Sequence, residues 1–482
     1  MNKKMIRYIV GSIIMLEAAL LLLPILTAIV YGEWNTLRVF AGSALFCIVA
    51  GALLRGKKPE NTTIFSVEGY VSVALCWVAL SICGAIPLCV SGVLQNPFDA
   101  FFEIVSGFTT TGSSVMQSVE GAPRAILMWR SFSHWVGGMG VLVFMLALLP
   151  MAGPSSMHLM KAESPGPSVG KLVPKVRSTA KILYQIYFVL TVVMLACMIL
   201  TGCPLFDSIN LTFATAGTGG FGVLDSSAAE YGAATQWVMT IFMILFGVNF
   251  NVYFLFYVKR FKEGMKSEEA RAYLGIIASA VLLISVNIFY MVRNLELTVR
   301  QAAFQVASII TTTGFSSVDF DLWPEFSKGI LVLLMFCGAC AGSTGGGIKV
   351  SRLCIMAKTV MKELAFIIHP RNVRKTRFEG KTVEHEVLRS INVFLVAYLG
   401  IFVLSVMLIS LDNFDFATNF TAVAATLNNI GPGLAKVGPT QNFGIYSNFS
   451  KLVLAFDMLA GRLEIFPMLV PMIYLLRKKQ LS

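Results

Sequence analysis

Residues 109–114 read TTTGSS, and residues 311–317 read TTTGFSS. Each phrase follows an apolar run too short to span a bilayer, which takes about 20 helical residues. Glycine opens backbone dihedrals closed to other residues and lets carbonyl groups approach a ligand closely. Threonine adds a hydroxyl beside its own carbonyl. A short helix ending in such a turn, inside a very apolar chain, offers carbonyl oxygens that replace the water shell of a cation. Two degenerate copies complete the set: Gly217-Thr218-Gly219-Gly220-Phe221 and Asn428-Asn429-Ile430-Gly431-Pro432, each again behind an apolar run. The candidate filter residues are Thr110, Thr111 and Gly112; Thr218, Gly219 and Gly220; Thr312, Thr313 and Gly314; Asn429, Ile430 and Gly431. In the second copy either Gly219 or Gly220 fits the key position, and Gly220 is preferred because Phe221 then matches Phe315. The key glycines are 108, 94 and 117 residues apart, the mark of four internal repeats. One Thr/Gly turn is ordinarily a helix cap; four, each between full-length apolar spans, argue for a pore of four-fold pseudosymmetry.

None of the four phrases holds a carboxylate. That points to a weakly hydrated monovalent cation and away from pores lined by rings of Asp or Glu. The C-terminus of each short helix, carrying partial negative charge, favours a cation near the turn. Only the glycine is common to all four phrases, so one well-defined central site is expected, and a filter less stringent than TVGYG.

A second chemical stretch runs from Gly338 through Gly342, Ser343, Thr344, Gly345, Gly346 and Gly347 to Lys349. Consecutive glycines interrupt a helix, and irregular backbone at membrane depth survives only against protein or a water-filled cavity. This segment is expected to form a loop beneath the filter. Arg462 sits alone in an apolar span, where a charge faces a cavity or a partner. It reads as an electrostatic barrier below the filter, or as an ion pair with Asp457 or Glu464. Glu17 reads as a packing or dimer contact and His134 as a structural histidine. Cys337 and Cys340 match CxxC but lie in an apolar span, and the nine cysteines read as packing residues rather than disulfides. The chain shows no phosphate-binding loop, nucleotide fingerprint or catalytic triad, so neither an enzyme nor a covalent cofactor is expected, and no nucleic-acid partner.

Positioning these turns requires a membrane. Of 482 residues 56% are hydrophobic and 13% charged, with mean hydropathy +0.74, whereas soluble domains carry about 25% charged residues. The expected fold is all-α integral membrane: four pseudo-symmetric M1–pore helix–M2 repeats plus two extra N-terminal transmembrane helices. The N-terminal spans are 8–31 and 40–54. The M1 helices are 67–90, 182–200, 273–292 and 391–411, and the pore helices 97–108, 206–216, 299–310 and 416–427. The M2 helices are 125–149, 237–258, 330–361 (interrupted) and 452–476, which makes ten spans. The units run 1–60, 61–175, 176–268, 269–385 and 386–482. With both termini in the cytoplasm, 29 of the 38 basic residues fall on the inner side, as the positive-inside rule asks, and all four filters open outward. Glu120, Asp225, Glu230, Asp319, Asp321 and Glu325 follow the filters, where acidic charge enriches cations.

The four pore-loop units resemble the superfamily of K⁺ transporters that includes the bacterial Trk and Ktr systems. Asn428–Pro439 (NNIGPGLAKVGP), residues 460–467 (AGRLEIFP) and the two extra N-terminal spans resemble the Trk-type membrane subunit. The resemblance covers nearly the whole chain. It implies gated uptake of K⁺, the bound substrate held by filter carbonyls, with Rb⁺ accepted, across a bacterial inner membrane. It also implies a homodimer and a cytoplasmic nucleotide-binding ring of Trk regulator subunits. The loop 338–349 then corresponds to the family's intramembrane gate and Arg462 to its pore-facing arginine. The basic inner segment 362–381 would meet that ring or anionic lipid. An H⁺- or Na⁺-coupled symporter is the competing reading, though only one interrupted helix and few carboxylates in spans favour it.

Overall fold

The structure, a computed structural model, describes residues 1–61, 63–138, 140, 176–370 and 375–480. The rest of the M2 helix expected at 125–149, and the basic loop beyond it with Lys161, Lys171 and Lys175, lie outside the described residues. So do residues 371–374 of the basic segment 362–381.

Among the described residues six helices are long and apolar enough to cross a membrane: 3–30, 34–55, 66–90, 181–200, 268–292 and 385–412. They are the two N-terminal helices and the M1 helix of every repeat. The first bends at Leu21, between Lys3–Leu20 and Leu22–Val30, where Pro24 has no N–H to give back to the preceding turn. Its first segment packs tightly on Trp34–Arg55 through small residues. A methyl group at Gly11 would lie 2.4 Å from the Arg55 backbone nitrogen, so glycine is what lets the two axes approach.

The pore helices are Pro97–Phe108, Leu205–Gly217, Leu295–Ile310 and Phe416–Leu427. Asn96, Asn294 and Asp415 cap three of them, accepting backbone N–H bonds from Phe98, Leu297 and Thr418. The third begins a turn earlier than expected, because Asn294 caps it and the polar first turn carries Glu296.

The M2 helices depart from expectation. Only the third was expected to break, yet the second and fourth break as well. Ala233–Phe246 and Phe250–Tyr257 meet at 87°, so this pair counts as a seventh span only if bent. Asn249 makes the corner by capping the second segment, its side chain accepting from Asn251 N–H. In the fourth repeat Asn448–Arg462 gives way to Phe466–Gln480 across Glu464 and Ile465, both with left-handed φ, +56° and +70°. The third M2 runs from Glu325–Cys337 to Val350–Ile368, around the glycine-rich loop. The M1 helices are intact as expected, and to the interruption expected in the third M2 the structure adds one in the second and one in the fourth. Beyond the third M2, a two-residue hairpin pairs Arg377–Phe378 with Lys381–Thr382, and Phe378 packs against Ile355 and Ile391.

Candidate cation pathway

At the end of each pore helix the same backbone conformation recurs. Thr110, Thr218, Thr312 and Asn429 have φ of +57°, +57°, +59° and +57°. Two residues on, Gly112, Gly220, Gly314 and Gly431 have φ of +82°, +78°, +87° and +103°. Between them, Thr111, Gly219, Thr313 and Ile430 each donate the backbone N–H to the carbonyl five residues back, at 2.8–2.9 Å. The left-handed residue folds the chain back over the helix end, and the glycine turns it out again. Gly220, and not Gly219, thus occupies the position of the other three key glycines.

The four turns close a ring. A methyl group at Gly112 would fall 2.0 Å from the Gly219 carbonyl oxygen, at Gly220 2.1 Å from that of Thr313, and at Gly314 1.9 Å from that of Ile430. At Gly431 it would fall 2.9 Å from the Thr111 oxygen, which returns the ring to its first member. Each glycine therefore touches the residue preceding the key glycine of the next repeat, and any side chain at these positions would drive into that carbonyl. All twelve candidate filter residues come together here.

Side chains fix the turns from behind. Thr109 and Thr311 hydroxyls lie 2.8 and 2.7 Å from those of Thr111 and Thr313, and each also donates to the helix carbonyl four residues back, at 2.6 Å. Asn429 Nδ2 bridges Thr111 Oγ1 and the Met458 carbonyl, both at 2.9 Å. The second turn has no such threonine. Instead the buried His134 stacks on Phe221 at 4.3 Å and lies so close that a methyl group at Gly219 would sit 2.1 Å from its Nδ1. A methyl group at Gly217 would sit 2.2 Å from the His134 carbonyl oxygen. The extra glycines of the second phrase make room for His134.

Sequence reasoning missed one buried pair. Glu103, within the first pore helix, meets Arg130 at 2.7 Å, and both are buried. The Glu103 carboxylate also accepts from Val115 N–H at 2.9 Å, pinning the strand that leaves the first turn. The Arg130 guanidinium lies 4.0 Å over Phe221. A carboxylate in the midst of an apolar helix was the available signal. In the third repeat Gln305, at the matching position, donates to Ser317 Oγ at 3.4 Å.

Above the ring a vestibule of about 170 Å³ is lined by all four key glycines and by Ser113, Asp225 and Ser227. Of the acidic residues expected there, only Asp225 lines it. The Asp225 carboxylate accepts from Val119 N–H and Ser118 Oγ, both at 2.6 Å. Asp321 accepts from Ala435 N–H, and Glu325 pairs with Lys328 at 2.7 Å. These carboxylates chiefly fasten loops.

Below the ring lies the glycine-rich loop. Gly346 N–H donates to Thr312 Oγ1 at 2.6 Å. Methyl groups at Gly345 and Gly346 would fall 2.8 and 2.6 Å from the Thr311 and Asn428 carbonyl oxygens, so only glycine fits this close under the third and fourth turns. Lys349 Nζ donates back to the Gly345 carbonyl. Arg462, where the fourth M2 breaks, donates to the carbonyls of Thr344 and Gly138, both at 2.7 Å, and of Gly137. It thereby ties the loop to the last described turn of the first M2. Of its two expected acidic partners, Glu464 is held by Arg352 at 2.5 Å, and Asp457 accepts from Ser405 at 2.7 Å.

A second residue missed in the sequence is Glu269, at the start of the third M1. Its Oε1 accepts from Ala341 N–H at 2.6 Å and Ser351 N–H at 3.1 Å, one on the loop and one just beyond it; Oε2 accepts from Asn249 Nδ2 at 3.2 Å. The third M1 was expected to begin only at 273, which left Glu269 outside it, and nothing local marks Glu269 as buried.

The model of the family described as TrkH, cation transport protein, matches residues 36–482. The chain is 34% identical over 480 residues to the Trk system potassium uptake protein TrkH of Salmonella typhimurium, covering 98% of both. It is 30% identical over 472 residues to TrkG of Escherichia coli, covering 97% of both. Among solved structures, the potassium transporter TrkH from Vibrio parahaemolyticus superposes with a TM-score of 0.88 at 32% identity, covering 98% of both chains.

Proposed function

The chain belongs to the TrkH family of cation transport proteins, and on that footing we propose that it takes K⁺, and Rb⁺, into a bacterial cell through one pore built from its four repeats. The observation that carries this reading is the closed ring of Gly112, Gly220, Gly314 and Gly431, packed so closely that no side chain fits. Its backbone carbonyls are the ligands expected to replace the hydration shell of a large monovalent cation. The glycine-rich loop beneath is the gate, and Arg462 places positive charge under the ring. The inner membrane, cytoplasmic termini, a homodimer and a cytoplasmic nucleotide-binding regulator ring complete the proposal; the basic residues on the side of the termini support that orientation.

A coupled H⁺ or Na⁺ symporter is a second reading, and broken helices now favour it more than the sequence did. Interrupted M2 segments and buried carboxylates such as Asp457 and Glu269 are features of ion-coupled carriers. One experiment serves both readings: ⁸⁶Rb⁺ flux into liposomes holding the purified chain, with and without its regulator, at clamped membrane potential. Uptake blocked by K⁺ but not Na⁺, reversing at the Rb⁺ equilibrium potential, is expected of the pore. A reversal potential that moves with pH or Na⁺ identifies the symporter, and Na⁺ competing as well as K⁺ overturns the filter.

A further inference from the structure

Away from the pathway, three helices bring together side chains that neither the ring nor the loop uses. Glu17 lies on Lys3–Leu20, Cys47 on Trp34–Arg55 and Cys83 on Ser66–Val90. A carboxylate oxygen of Glu17 and the Sγ atoms of both cysteines all lie within 4.8 Å of one another. All three residues are buried, Glu17 and Cys47 completely. Both cysteines are free thiols, and neither carboxylate oxygen of Glu17 has a hydrogen-bond partner. Gly84 makes the space: a methyl group there would lie 2.8 Å from Glu17 Oε1.

A buried carboxylate without a donor is expensive, and in proteins it is neutralised, paired or bound to a metal. Here no cationic side chain answers it, but two sulfur ligands do. Two thiols and one carboxylate from three separate elements supply three of the four ligands that zinc-class ions ordinarily take, with sulfur at about 2.3 Å and oxygen at about 2.0–2.2 Å from the metal. Soft sulfur donors select such ions over K⁺, Mg²⁺ or Ca²⁺. Adjacent ligands of such an ion stand roughly 3.5–4 Å apart, so modest side-chain rotations close the observed triangle. Coordination deprotonates both thiols and the carboxylate, releasing three protons to solvent, and the three anionic ligands exceed the divalent charge by one.

We propose that Glu17, Cys47 and Cys83 bind one thiophilic divalent cation of the zinc class, which clasps the two N-terminal helices to the M1 helix of the first repeat. The site is structural and separate from the K⁺ pathway.

The test uses the full chain. It is expressed in medium supplemented with Zn²⁺ or Cd²⁺, purified in detergent, and also exposed to Cd²⁺ after purification. Elemental analysis gives metal per chain, and ultraviolet absorption reports cadmium–thiolate bonds. The expected result is one retained ion per chain with a thiolate band. The band disappears in the Cys47→Ser/Cys83→Ser variant, and affinity falls tenfold or more in Glu17→Gln. A third variant replaces the other seven cysteines and keeps Cys47 and Cys83; it is expected to retain the ion. That variant decides the matter should the double serine variant fail to fold. No retained ion in either preparation, or loss from the third variant, overturns the proposal and leaves a protonated Glu17 between two thiols.

Discussion

Gly314 combines a φ of +87° with a neighbouring carbonyl 1.9 Å from where a methyl group would sit. Serine there meets both obstacles. Left-handed strain alone is of order 1–3 kcal/mol, and relief requires the Ile430 carbonyl to turn aside. We expect Gly314→Ser to reduce the K⁺-over-Na⁺ preference tenfold or more while the protein still folds, checked by competition against ⁸⁶Rb⁺ flux. Retained preference would remove Gly314 from the filter. Glu269 acts on the loop below. Replacing it by Gln leaves one acceptor oxygen and sets an N–H₂ group against backbone donors, so a hydrogen bond to charge worth roughly 1.5–3 kcal/mol is lost. With the loop less firmly held, basal Rb⁺ flux of Glu269→Gln without regulator is expected to rise several-fold. Flux equal to wild type would show that Glu269 does not restrain the loop.

The element that most separates expectation from structure is M2. M1 and pore helices were legible because hydrophobic runs of the right length, and caps such as Asn96 and Asp415, are local signals. The break at Gly345–Gly347 was legible for the same reason. The corners at Asn249 and at Glu464 were not: Gly247 precedes the first, and Gly461 precedes the second with Pro467 just beyond, but none of these forces a break by itself. At the Asn249 corner backbone groups are satisfied by distant partners, Phe250 N–H by the Gly342 carbonyl and Cys340 N–H by that of Gly247. Such partners become visible only once the repeats are assembled. The same reasoning applies to Glu103, whose Arg130 partner is 27 residues away. If the loop is the gate, deleting Gly345–Gly347 withdraws the backbone packed under Thr311 and Asn428. Unregulated Rb⁺ flux of that deletion is expected to rise at least tenfold over wild type, with K⁺ competition intact because the ring is untouched. Unchanged flux would assign the loop a purely structural role.

At the scale of the whole molecule, the interruptions lie around a common level. The loop of the third M2 is bonded to the corner of the second, and Arg462 of the fourth reaches both the loop and the last described turn of the first. The third M2 is thus hydrogen-bonded to the second and, through Arg462, joined to the fourth and to Gly137 and Gly138 of the first, in addition to their shared apolar packing. The intact M1 helices, apart from Glu269 at the start of the third, stand outside this layer, with much apolar surface facing outward, as lipid-facing scaffolding requires. The ring could be assigned from the sequence because glycine at a fixed step behind four short helices is a pattern in itself. The loop beneath it was marked by its glycines, but the contacts that hold that loop were not, since its partners come from different repeats.

In a filter assembled from identical subunits, one change in the gene alters every quarter together. Here Gly112, Gly220, Gly314 and Gly431 are four separate positions of one chain, and each abuts a different residue: Gly219, Thr313, Ile430 and Thr111. A substitution enters once, and its first mechanical neighbour is dictated by chain order. On the proposed reading of the ring as the filter, selectivity in this architecture is divisible by quarters. The chain has the means to relax one side of its filter, as the His134-backed second turn already departs from the others, without giving up the remaining three.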